Sequence, residues 1–274
     1  MDRFTMESPI DLRQTPEYAE YMSLIGWKPI KVFSFQFSVF SYIYIKKIPL
    51  LPWSIGKLQR PVGPIDWELV AKIRKKYRII KLITEEMVAK KTMWVDLRKS
   101  EKELLGAMKP KTRYNIGLAK RRGIKIKIAN GKWLMANSNT RNNFFELLHK
   151  NSKRLNIFSM PQKWFEAQVK AFGEKCFGVL ALRLRSGQEA ELLAGNFFMT
   201  SRDGCFYAHN GSTEWGRKLM APTLCTWEGM REAKRRKLKV FDFEGIYDGS
   251  RVLRRWRGFT RFKKGFGGEE IIFS

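Results

Sequence analysis

Residues 219–245 read LMAPTLCTWEGMREAKRRKLKVFDFEG. Met220, Leu224, Trp227 and Met230 recur at helical spacing, which predicts a long helix over about 219–236 with an apolar face. VFDFEG then reads as a strand. Phe241 and Phe243 fall on one side of it and Asp242 on the other, a structural hydrogen-bonding position. Another strand is expected at 204–209, before the helix. Strand, helix and strand in succession place the chain in the α/β (α+β) class.

The neighbouring stretches repeat the theme. Strands are expected at 177–184 and 192–200, and IKIKIA (124–129) alternates apolar and basic residues as a half-buried strand does. SMPQKWFEAQVKAF (159–172) reads as a helix capped by Ser159 and Gln162, with Pro161 early and Phe165, Val169 and Phe172 on one face. A helix is expected over 139–150. SEKE (100–103) is a capping box opening a helix that carries Leu104, Leu105 and Met108 until Pro110 interrupts it. KTRYNIGLAKRRG (111–123) follows as a basic helix ending at Gly123. Further upstream, strands are expected at 31–37, 39–45, 79–83 and 93–97, with a turn at RPVGP (60–64). A helix is expected near 15–25, and DWELVAKIRKKY (66–77) is another, acidic at its start and basic at its end. EEIIF closes the chain as a last strand. No low-complexity linker or clear internal repeat is visible.

The chain has 274 residues, 44% hydrophobic and 14% aromatic, enough to bury a core. It carries 53 Lys+Arg against 26 Asp+Glu, a net charge of +27. Such a balance points to anionic partners: nucleic acid, phosphorylated substrate or an anionic membrane surface. Cys176, Cys205 and Cys225 form no CxxC pair, which argues against a disulfide framework or a zinc site and for a reducing compartment. With only His149 and His209, chemistry built on a histidine cluster has little material. The N-terminal stretch lacks the basic start and apolar run of a signal peptide. VFSFQFSVFSYIYI (32–45) is too short for a membrane-spanning helix and reads as one or two strands. A cytoplasmic protein, peripheral to the membrane at most, is expected.

RFKKGFGG (261–268) frames two lysines with phenylalanines and glycines. The glycines suit a backbone lying close against something. The lysines suit something negative, either permanently or for an instant.

Together, KTRYNIGLAKRRGI (111–124), residues 211–246 and RFKKGFGG resemble the Fem family of peptidoglycan bridge-forming aminoacyltransferases, with looser matches at GWKP (26–29) and RPVGP. The resemblance implies two GNAT-like domains, each a mixed twisted sheet flanked by helices. It places the first, reduced domain at 1–98, completed in one arrangement by the strand at 269–274, and the second at 99–268. With no long heptad stretch, the chain resembles the short type without a coiled-coil arm. The implied reaction moves an amino acid from aminoacyl-tRNA to a side-chain amine of a nucleotide- or lipid-linked muropeptide. No metal or organic cofactor is implied.

Attack of an amine on an ester builds negative charge on the carbonyl oxygen, and a fixed donor aimed there lowers the barrier by about 3–4 kcal/mol. The resemblance gives that role to Lys263, which follows Phe262. Arg154 matches an arginine that grips diphosphate, or else ends a helix on the surface. His209 stands where relatives carry tyrosine; it either lines the acceptor site or is simply packed. Tyr207 is core or pocket, and Trp227 is core. Arg217 and Lys218, expected to open the 219–236 helix, are placed to meet substrate at its free N–H groups. Lys111, Arg113, Lys120, Arg121 and Arg122 are either a solvated face or a surface for the tRNA acceptor stem. Two departures stand out. A lysine expected four residues after Tyr18 is Met22, leaving Lys28 as its substitute. An expected Asp-Pro is replaced by Glu85 and Glu86. Two rival readings remain open: an aminoacyl-tRNA–protein transferase, and a non-catalytic RNA-binding protein on a decayed scaffold.

Overall fold

The computed structural model describes residues 9–34, 39–84, 89–184, 190–250 and 254–273. The chain divides into two compact units, one formed by Ile10–Val88 and one by Ala89–Ser274 with Pro9.

The first unit contains α1 (Pro16–Leu24), β1 (Lys28–Ser34), β2 (Val39–Lys47), β3 (Ser54–Lys57), α2 (Trp67–Lys76) and β4 (Ile79–Ile83). Its sheet runs β1-β2-β3-β4, antiparallel except for the parallel β3/β4 pair. Period-two alternation builds both faces. Ile43 and Ile45 join Val32, Leu58, Val70, Ile73 and Ile79 in one core, while Tyr42 and Tyr44 stack on each other and Tyr18 of α1 meets Tyr44 edge-on. Thr15 caps α1, whose first residue is Pro16, and Asp66 caps α2. Met22 is buried on α1, so the family's lysine position is here a core position. The strand expected at 31–37 is present as far as Ser34; Phe37, like Glu85 and Glu86, lies outside the described residues.

The second unit contains β5 (Lys91–Asp96), α3 (Glu101–Ala107), α4 (Pro110–Arg121), β6 (Lys125–Asn130), α5 (Gly131–Ala136), α6 (Ser138–Leu155), α7 (Gln162–Phe172), β7 (Cys176–Arg183), β8 (Glu191–Thr200), β9 (Gly204–Ser212), α8 (Glu214–Lys218), α9 (Ala221–Arg235), β10 (Val240–Asp242), α10 (Arg257–Lys263) and β11 (Glu269–Ile272). Its sheet runs β11-β5-β10-β9-β8-β7-β6. Only β9/β10 is parallel, with α8 and α9 in the connection between them. On one face α9 seals a core of Leu224, Trp227, Met230, Phe198 and Phe241. On the other, Phe144 of α6 and Phe165 of α7 meet edge-on, and Phe165 packs against Phe197. Both units are mixed sheets carrying helices, as the resemblance implied.

Three expectations need correction. The strand near 93–97 belongs to the second unit and not to a first domain ending at residue 98. It pairs with β10, and Trp94 bonds a residue 148 positions later. The closing strand likewise pairs with β5 in this sheet and does not complete the first unit. The Ser159/Gln162 cap does not form: Pro161 is the N-cap of α7, and the Ser159 hydroxyl meets His149 Nδ1 at 2.6 Å. The capping box at Ser100 and Glu103 does form, as does the left-handed Gly123 after α4 (φ +76°).

Candidate active site

RFKKGFGG is not a mobile turn. It is the last turn of α10 running into a single 3-10 turn over Lys264–Phe266. The two lysines part company. Lys264 faces outward and pairs with Glu270. Lys263 turns inward and is only 7% exposed. Its Nζ donates to the Gly245 carbonyl at 2.7 Å and lies over the rings of Phe259 (5.0 Å) and Tyr207 (5.9 Å). Burial pushes its pKa down to about 8, against the pull of Glu244 and Asp242.

What the glycines lie close to is the protein itself. A Cβ on Gly265 would stand 2.5 Å from Thr112 Oγ1, and one on Gly268 would stand 2.3 Å from the Trp94 carbonyl oxygen. Gly267 and Gly268 also hold φ of +80° and +97°. These close approaches press the segment onto α4 and β5. Phe262 and Phe266 meet edge-on at 5.2 Å, and Phe266 continues to Phe243. Phe262 therefore packs against the core of this unit.

Asp242 is buried. It accepts from Trp94 Nε1 (2.9 Å) and the Glu244 backbone N–H (2.6 Å), with the Thr92 hydroxyl also donating. Burial first, then Glu244, raises its pKa to about 6. It is the structural hydrogen-bonder that the alternation implied. Glu244 itself is half-buried with φ +57°, an uncommon conformation for a residue with a side chain. Its charge acts on Lys263, Asp242 and His209 alike. Glu244 lies beyond the end of β10, not within a strand as the pattern VFDFEG implies; a glutamate directly before glycine at a strand end is the signal in the sequence.

Tyr207 and His209 stand two apart, a spacing that on a regular strand puts both on one face. A β-bulge intervenes: Phe197 pairs with His209 and the next residue, Phe198, with Tyr207. The extra residue sends the two side chains to opposite faces. Tyr207 is buried against Phe198, Phe241 and Phe243, where burial raises its phenol pKa. His209 stacks on Phe197 and bonds Gln168 through Nε2 at 2.8 Å, and burial lowers its pKa to about 4. It is a packed, neutral imidazole.

Arg154, in the last turn of α6, donates to Asn151 Oδ1 (2.7 Å), and Asn151 in turn donates to the Asn210 carbonyl (3.0 Å). Arg217 donates to the Ser212 carbonyl at 3.0 Å. The two guanidiniums feel each other: burial and then Arg217 lower the pKa of Arg154. Paired like charges suit an anion that spans both. Arg217 and Lys218 close α8 and do not open the following helix, which begins at Ala221. Neither residue therefore stands at the free N–H groups of a helix start. Lys28 belongs to the first unit, its Nζ 5.1 Å from the centre of the Tyr77 ring.

The basic residues of α4 are exposed, yet several serve the fold. Arg113 donates to the Leu105, Gly106 and Met108 carbonyls at the end of α3. Arg122 donates to the Lys218 carbonyl, Lys120 pairs with Glu228, and Arg121 lies over Tyr114.

The FemAB family model matches residues 81–185 and 182–272. This chain belongs to the FemAB family. Among solved structures, that of FemX aligns with a TM-score of 0.78 at 16% identity, over 95% of this chain and 90% of that one. L-PGS from Bacillus licheniformis aligns with a TM-score of 0.60 at 11% identity, over 97% and 91%. At these identities the likeness is one of fold. No curated protein matches the sequence. Among the described residues of this FemAB-family chain, no helix is long and apolar enough to cross a membrane.

Proposed function

We propose that this protein is an aminoacyltransferase that moves an amino acid from aminoacyl-tRNA to a side-chain amine of a peptidoglycan stem peptide. The observation that carries this reading is Lys263: a buried cation, fixed by a carbonyl and aromatic rings, in a chain of the FemAB family. The acceptor nitrogen attacks the ester carbonyl carbon, and the C–O bond to the ribose breaks. One nitrogen proton is given up and the ribose oxygen takes one. Lys263 stabilises the oxyanion between these events. Glu244, whose charge already acts on Lys263, takes the proton. Arg154 and Arg217 hold the diphosphate of a nucleotide- or lipid-linked acceptor. Lys111 and Arg121 offer phosphate contacts to the tRNA, while Arg113, Lys120 and Arg122 serve that role only alongside their contacts within the fold. The reaction needs no metal or organic cofactor, and the protein works on the cytoplasmic side of the membrane, where charged tRNA is made.

The test is transfer of label from a pool of radiolabelled aminoacyl-tRNAs to a muramyl pentapeptide with a free side-chain amine. A peptide with a free N-terminus serves as the competing acceptor. Label in the muropeptide, lost in Lys263→Ala with tRNA binding intact, is the expected result. Label only in the peptide would make the protein a protein-tagging transferase. Tight tRNA binding without transfer to either would make it an RNA-binding protein.

A further inference from the structure

The loop between β2 and β3 reads IPLLPW (48–53). Its conformation is set by two backbone bonds, from Ile48 N–H to the Trp53 carbonyl (2.9 Å) and from Leu51 N–H to the Ile48 carbonyl (3.2 Å). At its tip Leu50 is fully exposed, and its backbone sits in the left-handed region at φ +62°. Leu51 and Trp53 are exposed beside it. A strained backbone holding a leucine wholly in water is unfavourable twice over, and Leu-Leu-Trp at one turn is a compact apolar point.

The base of this loop is basic. Lys47 on β2 pairs in register with Ser54 on β3. On the other side, Ser54 N–H donates to the Arg78 carbonyl. Lys75 and Arg78, at the end of α2 and just beyond it, are exposed, as is Lys47. No acidic residue occurs anywhere in 21–65 or in 69–84. An apolar tip with a tryptophan, ringed by cations and free of acids, has the composition of an interfacial membrane anchor: the tip enters the acyl boundary and the cations meet anionic headgroups.

We propose that residues 48–53 form a wedge by which the first unit docks on an anionic lipid bilayer, Leu50, Leu51 and Trp53 entering it and Lys47, Lys75 and Arg78 engaging its phosphates. Nucleic acid would use the cations but leave the leucines in water; a bilayer uses both.

Binding is read without turnover, so failure here leaves the transferase reading standing. Full-length protein is floated with vesicles of phosphatidylcholine alone, or with about a third phosphatidylglycerol, an amount that gives the surface a negative potential. Binding to the anionic vesicles only is expected, and Leu50→Ser with Trp53→Ser should weaken it about tenfold or more at unchanged net charge. Brominated acyl chains should quench tryptophan fluorescence in the wild type, and Trp53→Phe should remove most of that quenching while the protein stays bound. Equal binding by the wild type and the serine variant, or quenching unchanged in Trp53→Phe, would show adhesion by surface charge alone and overturn the wedge. So would concentration-dependent self-association abolished by the same substitutions, which would make the tip a contact between copies.

Discussion

On the proposed mechanism, the needs of folding and of chemistry diverge at Lys263. A pKa lowered from 10.5 to about 8 corresponds to about 3 kcal/mol against keeping this buried group charged. Lys263→Met keeps most of the volume and removes the charge, at a loss of about 1 kcal/mol for the Gly245 carbonyl left without its donor. The variant is expected to melt higher by a net of about 1–3 kcal/mol while turnover falls about a hundredfold or more. If stability and activity fell together, Lys263 would be a packing residue and no more. Between about pH 8 and 10.5 the unfolded chain holds this proton and the folded one does not, so the residue's penalty shrinks as pH rises through that window. On the proposed mechanism the cation facing the oxyanion disappears over the same range, so kcat should fall above about pH 8. Glu244 raises the pKa of Lys263. Glu244→Gln should therefore move this basic limb to lower pH, as well as lowering kcat, and a pH–rate profile of both variants checks the assignment. His209 and Asp242 form a second opposed pair. The unfolded state protonates His209 first as pH falls from 6.5 toward 4, which destabilises the fold. Asp242, raised to about 6, takes up its proton earlier in the folded state and stabilises the fold over nearly the same range. The contributions of these two residues should nearly cancel there. Asp242→Asn should uncover a loss of stability on acidification, measured by urea unfolding at several pH values.

Among the elements, local chemistry made most helix starts legible in advance, the Ser159/Gln162 cap, which does not form, being the exception. Thr15, Asp66 and Ser100 cap their helices through side chains that sequence makes visible. The long-range features were not. Tyr207 and His209 share a face by counting, and only the pairing of β8 with β9 reveals the extra residue between them. In RFKKGFGG the glycines announce a close approach, but not what is approached. Here the glycines are demanded by neighbours distant in sequence, Thr112 for Gly265 and the Trp94 carbonyl for Gly268. Gly268→Ala, which meets both the positive φ and that carbonyl, is expected to destabilise the protein by about 2 kcal/mol or more and to loosen β11, visible in amide exchange. The basic helix α4 separates into two classes. Reversing Lys111 and Arg121 to glutamate should weaken tRNA binding and reduce its salt slope by about 2. Arg113→Ala should instead lower thermal stability, because it uncaps α3.

Across the whole molecule, the two-sheet architecture was foreseeable from the alternation of helices and strands, whereas the division between the units was not. β5 precedes the helices of the second unit in sequence, so linear reading assigned it to the first. Its partners β10 and β11 arrive only at the end of the chain. Each unit has its own apolar core. A fragment of residues 89–274 is expected to fold with a cooperative melting transition of its own, checked by circular dichroism and calorimetry. Removing residues 269–274 from it should expose the edge of β5 and promote aggregation.

All three cysteines are buried, and burial, the first cause in each case, pushes their thiols away from reactivity: Cys176 up to about 12, and Cys205 and Cys225 upward as well. To an alkylating dye the native protein is therefore almost blank. One cysteine introduced at Leu50, where the side chain stands clear of the fold, would be the single bright address on the molecule. A fluorophore or spin label placed there would report from that position without deleting any native thiol.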